Sequence, residues 1–189
     1  MICGDIDLRC AKCRLCRKRT QVVPGVGPCS SRIVFIGEGP GRDEDVKGQP
    51  FVGRAGKILD EALERAGTDR SNVFITNLVK CRPPGNRRPR KDEIRTCSVY
   101  LNSELKALGP KVICALGQTV GNNLLGNREK MPALMIGDWI VPVAGRDVKL
   151  IVAYHPAACL YQRKNTKAFR ESIAEALEAA GTVRRKHPQ

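Results

Sequence analysis

The sequence lacks a hydrophobic run long enough to cross a bilayer, since no stretch approaches the roughly 18 apolar residues that a membrane helix requires. Residues 1–9 include Asp5 and Asp7 and have no apolar core, so they do not resemble a secretory signal. Histidine is scarce, and His155 and His187 are the only two in the chain. We therefore expect an intracellular, cytoplasmic protein without a membrane partner.

Two common nucleotide-binding fingerprints are also missing. The glycine-rich segment 37–41 follows an apolar run directly, but Arg42 stands where G-x-G-x-x-G requires its third glycine. No G-x-x-x-x-G-K-[ST] segment occurs either. The residues alone leave this segment open as a ligand-binding loop or an ordinary turn, and they argue against dinucleotide-binding and P-loop proteins.

Positive charge, by contrast, is in excess. The chain has 33 Lys and Arg against 19 Asp and Glu, a formal net charge of +14. Such charge can serve solubility alone, but here it is clustered in residues 9–19, 80–91 and 184–186. Clustered positive charge attracts a phosphate backbone through counterion release. The clustering therefore predicts binding to a nucleic acid.

Short apolar runs alternate with segments of helical periodicity. The predicted strands are residues 32–36, 73–79, 112–117 and 149–154, with a small extra strand at 139–143. This alternation predicts an α/β fold, a three-layer α/β/α sandwich with a central, mainly parallel four-stranded sheet. We expect one domain, residues 1–189, in which residues 181–189 form a flexible basic tail.

Ligand sites in such sheets lie beyond the carboxyl ends of the strands. That rule selects the segments 37–41 and 77–81, the residues after Gly117, and His155-Pro156. A lone histidine is more often structural than catalytic. The position of His155 at a strand end favours a catalytic role.

Nine cysteines are many for an intracellular chain of 189 residues. Cys10 and Cys13 form a C-x-x-C pair, which overlaps a second pair made by Cys13 and Cys16. Cys81 lies at the start of the basic segment 80–91, and Cys97 follows that segment. Four such thiolates suit either a zinc ion or an iron–sulfur cluster, and the spacing alone leaves both open.

Burial as a small hydrophobic residue and disulfide bonding explain fewer of the nine cysteines. Cys114 and Cys159 lie in or beside apolar segments and are expected to act as small buried hydrophobic residues. A disulfide framework is the weaker interpretation, because nothing in the sequence suggests secretion.

Several motifs follow one another in a distinctive order. They are Cys10-x-x-Cys13-x-Leu15, Arg19-Thr20, Val23-Pro24-Gly25, Gly37-Glu38-Gly39-Pro40-Gly41, Glu44-Asp45, Pro50-Phe51-Val52-Gly53-Arg54-Ala55-Gly56, Thr76-Asn77-Leu78-Val79-Lys80-Cys81-Arg82-Pro83-Pro84, Asn86-Arg87-Arg88-Pro89 and Tyr154-His155-Pro156-Ala157-Ala158. In this order, and over most of the chain, they resemble the family 4 uracil-DNA glycosylases, the iron–sulfur branch of that superfamily.

The resemblance implies the uracil-DNA glycosylase fold and a monofunctional DNA repair enzyme. Its expected reaction is hydrolysis of the N-glycosidic bond of deoxyuridine in single- and double-stranded DNA, which releases uracil and leaves an abasic site. The enzyme would flip the base out of the helix to reach it. The resemblance also implies a [4Fe–4S] cluster held by Cys10, Cys13, Cys81 and Cys97, with Cys16 as an extra cysteine.

The resemblance further implies roles for individual residues. Phe51 would stack on the flipped uracil, Asn77 would bind the uracil edge, and His155 would donate to uracil O2. The backbone amide of Gly39 would contribute at the base. Two carboxylates would stabilise the sugar cation or position water, with their division of labour open: Glu38 and Glu44.

The remaining expectations concern DNA and partners. The residues expected to bind the DNA backbone are Arg82, Arg87, Arg88 and Lys91. Leu160 is a candidate for the side chain that fills the vacated base position, and simple packing is equally compatible with it. We expect a monomeric, nucleoid-associated enzyme, with a sliding clamp as a further candidate partner.

Two alternative classes fit the sequence less well. One is the branch of the superfamily that traps uracil-DNA covalently through a histidine, but the chain has no third histidine to supply that group. The other is a non-catalytic nucleic-acid-binding or redox-sensing iron–sulfur protein. It would need the cysteines and basic segments but not Phe51, Asn77 and His155 together.

Overall fold

The structure is a computed structural model that describes residues 2–183. Residues 184–186 and His187 lie outside the described residues, as does most of the expected basic tail. The strands are β1 Ile33–Gly37, β2 Phe74–Asn77, β3 Val112–Leu116, β4 Trp139–Val143 and β5 Arg146–Ala153. The helices are α1 Arg42–Lys47, α2 Arg54–Arg65, α3 Lys91–Leu108, α4 Gln118–Leu125, α5 Met131–Ile136, α6 Pro156–Tyr161 and α7 Asn165–Ala180.

The strands form one sheet in the order β2-β1-β3-β5-β4. The first four run parallel, and β4 pairs antiparallel to β5 at the edge. Every residue of β1, β2 and β3 is buried, as expected for parallel strands covered on both faces. Within residues 2–183, no helix has the length and hydropathy needed to cross a membrane.

The alternation of side chains along the strands divides the core into two layers. Val34 and Ile36 of β1 face a cluster that includes residues of α3. Ile33 and Phe35 face the opposite cluster, which is built with α2, α6 and α7. This arrangement confirms the predicted α/β/α sandwich and its four parallel strands, and the predicted extra strand joins the sheet as β4.

Strand β2 ends at Asn77, two residues earlier than predicted. Beyond the strand the chain stays beside β1, because Leu78 N and Val79 N donate to the carbonyls of Gly37 and Glu38 at 2.9 and 3.4 Å. Asn77, which pairs with Gly37 in the sheet, therefore lies beside the glycine-rich segment 37–41.

The segment before β1 is attached to α3 and closed by a disulfide. Cys3 and Cys29 are bonded, with their Cα atoms 5.7 Å apart and 26 positions between them in sequence. Asp5 N donates to Ser103 Oγ on α3 at 2.8 Å. A disulfide was the weaker expectation for these cysteines, and neither residue belongs to a C-x-x-C pair that could have marked it.

Candidate active site and cysteine-lined cavity

A cavity of about 520 Å³ opens at the carboxyl ends of the parallel strands. It brings together the six residues expected to contact the base or to act at the sugar and the water, namely Glu38, Gly39, Glu44, Phe51, Asn77 and His155. These residues come from four separate stretches of the chain. The position agrees with the rule that ligands bind beyond the carboxyl ends of such strands.

Asn77 and Phe51 meet across Gly37. A Cβ atom at position 37 would lie 2.4 Å from Asn77 Oδ1 and 2.5 Å from Phe51 Cζ. Only glycine therefore allows both side chains to approach the end of β1. Asn77 is 2% exposed and is the last residue of β2, so the sheet holds its backbone in register opposite Gly37.

Phe51 has a left-handed backbone, with φ of 53°. Such a conformation at a bulky residue costs about 1–3 kcal/mol and persists only where its surroundings impose it. Arg70 imposes it here by donating to the Phe51 carbonyl and, at 3.2 Å, to that of Pro50. Asp60 binds Arg70 in turn, and Gly56 leaves room for the Phe51 carbonyl that any Cβ would fill.

His155 precedes α6 and points into the same cavity. Its ring centroid lies 5.9 Å from that of Phe51. Ala157 N donates to Nδ1 at 3.2 Å, which leaves the proton of a neutral ring on Nε2. Burial lowers the pKa of His155 from 6.5 to about 4, against the opposing effect of the Glu44 carboxylate, so the ring is neutral at neutral pH.

The two acidic residues of the cavity differ in their surroundings. Glu44 Oε1 accepts hydrogen bonds from Val52 N and Gly53 N, each at 2.9 Å. Its Oε2 accepts from Gly41 N at 3.0 Å. Among residues 2–183, no donor contacts the carboxylate of Glu38, which lines the cavity and is partly exposed. Glu44 thus ties α1 to the loop that carries Phe51, whereas Glu38 is available to a ligand or water.

A second cavity lies on the α3 side of the sheet. Its lining includes the four cysteines expected as ligands and one more, namely Cys10, Cys13, Cys81, Cys97 and Cys16. The other lining residues include the apolar Leu15 and Val22. In the part of the chain that the structure describes, no three His, Cys, Asp or Glu residues are grouped so as to hold a single metal ion.

Polar groups of the chain contact two of these sulfur atoms. Arg19 Nη1 lies 3.1 Å from Cys81 Sγ, and Lys80 N lies 3.3 Å from Cys97 Sγ. Burial raises the pKa of Cys81 to about 11, although Arg19 opposes this. Iron–sulfur clusters are held by cysteine sulfurs, and hydrogen-bond donors to those sulfurs are part of the environment that the clusters use. The residues present therefore fit such a cluster.

The basic residues of segment 80–91 do not all face solvent. Lys80 is 1% exposed, because it pairs with Glu104 on α3. Arg87 makes two hydrogen bonds to the buried Glu93, at 2.7 and 2.8 Å, and this pairing lowers the pKa of Glu93. Glu104 is distant from Lys80 in the sequence, and Glu93 is buried. The run of basic residues alone therefore did not reveal these acidic partners.

The other residues expected at DNA lie on the rim of the cavity or outside it. Arg88 and Lys91 are exposed, and Arg88 lines the active-site cavity. Arg82 Nε donates to Asn86 Oδ1 at 2.7 Å. Asn86 lines the same cavity in a left-handed conformation, with φ of 55°.

Some lining residues were not predicted from the sequence. Gln118, Asn86 and Tyr161 all border the active-site cavity. The Tyr161 side chain is 84% exposed, whereas the neighbouring Leu160 is only partly exposed. Tyr161 could have been noticed as an aromatic residue six positions after the histidine motif.

The comparisons with known proteins agree on one family. A model described as the uracil DNA glycosylase superfamily matches residues 24–178. The type-4 uracil-DNA glycosylase of Archaeoglobus fulgidus is 40% identical over 183 residues, covering 92% of this chain and 89% of that protein. Type-4 enzymes of Saccharolobus solfataricus and Pyrobaculum aerophilum are each 41% identical, covering 93% and 90% of this chain and 84% and 89% of their own lengths.

Proposed function

The chain belongs to the uracil DNA glycosylase superfamily, and from this premise we propose that it excises uracil from DNA in the cavity at the sheet edge. The reaction is hydrolysis of the N-glycosidic bond of deoxyuridine, which yields free uracil and an abasic site. The observation that carries the proposal is the convergence of Phe51, Asn77 and His155 on one cavity from three separate elements.

Recognition begins with a base that has left the helix. Flipping costs a few kcal/mol, and stacking on an aromatic ring returns about 1–3 kcal/mol per base. The fixed ring of Phe51 suits that role. Asn77 offers an amide whose donor and acceptor match the edge of uracil, and a site built on such hydrogen bonds leaves a buried polar group unpaired when cytosine enters.

The neutral His155 is suited to stabilise the leaving base. Cleavage of the glycosidic bond leaves negative charge on uracil, and the Nε2–H of His155 is the donor aimed at the cavity. Ala157 N holds this tautomer by donating to Nδ1. Removing one donor of this kind typically costs about 3–4 kcal/mol of transition-state stabilisation.

The two carboxylates of the cavity, those of Glu44 and Glu38, have different roles. Glu44 already accepts three backbone hydrogen bonds, so its contribution is a fixed negative charge near the sugar and a fixed loop around Phe51. Glu38 has no such partners among the described residues, and we assign to it the placement of the attacking water. Negative charge at both positions would also favour the developing sugar cation.

We further propose that Cys10, Cys13, Cys81 and Cys97 hold a [4Fe–4S] cluster. Bound there, the cluster would supply a structural crosslink between the N-terminal segment, the segment that follows β2, and helix α3. Arg19 and the amide of Lys80 would donate to the ligand sulfurs of Cys81 and Cys97. Cys16 is left as a neighbouring thiol.

The surface around the cavity favours DNA over a free nucleoside. Arg88 and Lys91 are exposed beside it, and the basic segment 9–19 adds further charge. Such contacts bind phosphates of either single- or double-stranded DNA without reading sequence. We propose that the protein acts on both forms as a monomer.

The experiment compares Asn77→Ala with wild type and with Asn102→Ala, an exposed residue of α3 outside the cavity. Uracil release, binding to uracil-containing oligonucleotide and visible absorbance of the cluster are measured on each. We expect Asn77→Ala alone to lose uracil release while it keeps DNA binding and absorbance. Release at the wild-type rate by Asn77→Ala would refute this assignment of the cavity.

A further inference from the structure

A buried ion pair lies between the segment that follows β2 and helix α3, and its lysine borders the cysteine-lined cavity. Lys80 and Glu104 are 1% and 0% exposed, and Lys80 Nζ lies 2.7 Å from Glu104 Oε2. Removing two charges from water is costly, and apolar residues of similar volume often serve stability equally well. The pair therefore calls for an explanation beyond stability.

The ammonium group of Lys80 has three protons, and three acceptors surround it. Besides Glu104, it donates to Thr76 Oγ1 at 2.6 Å and to the carbonyl of Asn77 at 2.8 Å. Glu104 is equally engaged, because it also accepts from the Thr76 hydroxyl and from Gly25 N, each at 2.8 Å. The network is thus fully paired, and one of its bonds ends on the backbone of the residue assigned to uracil recognition.

The same lysine also contacts the cysteine-lined cavity through its backbone. Lys80 N donates to Cys97 Sγ at 3.3 Å, and Val23 N donates to the Lys80 carbonyl at 2.7 Å. Cys97 and Glu104 lie two turns apart on α3, so one face of that helix meets Lys80 twice. Lys80 is therefore hydrogen-bonded to one lining residue of each cavity, Asn77 of the active-site cavity and Cys97 of the cysteine-lined cavity.

We propose that Lys80 and Glu104 are positioning residues for uracil recognition. Their network fixes the peptide that follows Asn77 against α3 and so aims the Asn77 carboxamide into the cavity. This inference rests on the proposed function. Small displacements of a recognition group are expensive, since about 1 Å can cost on the order of 100-fold in rate.

The test uses Lys80→Met together with Glu104→Leu, which removes both charges at once, so neither ion is left buried without its counterion. Single-turnover uracil excision should fall by on the order of 10- to 100-fold, with an unchanged KM, because the exposed basic residues bind the DNA backbone. Preference for uracil over cytosine should fall as well. Lys149→Met, which removes an exposed pair with Asp138, is the control and should match wild type.

A double-mutant cycle with Asn77→Ala separates positioning from a general structural role. If the pair acts through Asn77, adding Lys80→Met and Glu104→Leu to Asn77→Ala should change the residual rate by no more than about twofold. The same fold loss in both backgrounds would overturn the proposal, as would wild-type rate and selectivity in the double variant. Parallel loss of cluster absorbance and of the cooperative unfolding transition would also overturn it, since the pair would then be structural. Absence of excision by wild-type protein would instead refute the proposed function.

Discussion

Replacing Arg70 by methionine should impair excision without a matching loss of stability. Arg70 holds the left-handed backbone of Phe51 by donating to its carbonyl and to that of Pro50. Without those bonds, the loop can relax to a negative φ, which moves the aromatic ring away from the flipped base. The strain recovered is about 1–3 kcal/mol.

The two effects on stability are of similar size and opposite sign. Hydrogen bonds to a charged group contribute about 1.5–3 kcal/mol each when desolvated, but Arg70 is only partly buried, with 33% of its side chain exposed, so the lower end applies. Two such bonds contribute about 3 kcal/mol, and relief of the Phe51 backbone offsets about 1–3 kcal/mol of that. The free energy of unfolding should therefore fall by no more than about 2 kcal/mol.

The effect on activity has no such compensation. Lost stacking of about 1–3 kcal/mol corresponds to a fall in kcat/KM of about 5- to 150-fold. Steady-state excision and urea unfolding would be measured on Arg70→Met and on Phe51→Ala, which sets the upper limit of the effect. Arg170→Met, which removes an exposed ion pair with Glu61, serves as the control. Unchanged kcat/KM in Arg70→Met, or a loss of more than about 3 kcal/mol in stability, would refute this reasoning.

Three other predictions follow from the site and its supports. The folded protein holds the pKa of His155 at about 4, against the usual 6.5, so between these pH values it binds fewer protons than the unfolded chain. The free energy of unfolding should therefore fall by up to about 3 kcal/mol as the pH drops from 6.5 to 4. His155→Asn should remove this pH dependence in acid unfolding curves. Cys3→Ser should lower the free energy of unfolding by about 3.5 kcal/mol, the value for a loop closed over a sequence separation of 26, and an unchanged urea midpoint would contradict it. Cys97→Ser should abolish the visible absorbance of the cluster whereas Cys16→Ser retains it, and the reverse pattern would show that the ligands were wrongly chosen.

The fold was predictable because its signals are local. Parallel strands buried on both faces require continuous apolar runs, and short runs such as 112–116, bounded by glycine and proline, favour buried strands. Boundaries set by contacts distant in sequence were not predictable. Strand β2 ends at Asn77 although Leu78 and Val79 still bond to the end of β1, and nothing between residues 73 and 79 marks where the strand geometry stops.

The candidate site shows the same division. Residues within motifs, such as Phe51, Asn77 and His155, could be named from the sequence and lie together in the structure. Supporting residues could not, because their partners are remote. The sequence places Lys80 in a run of basic residues, yet in the structure it is buried and paired with Glu104, which lies 24 positions away. The sequence likewise contains no sign that Arg70 holds Phe51.

The most direct test of the proposed activity is release of free uracil by the purified, cluster-containing protein. Oligonucleotides carrying one deoxyuridine, single-stranded and paired, would be incubated with the protein and analysed for free base and for alkali-labile sites. We expect free uracil from both substrates, an abasic site in an otherwise intact strand, and no base released from matched oligonucleotides with cytosine or thymine. Recovery of both oligonucleotides with their uracil intact would contradict the proposed activity.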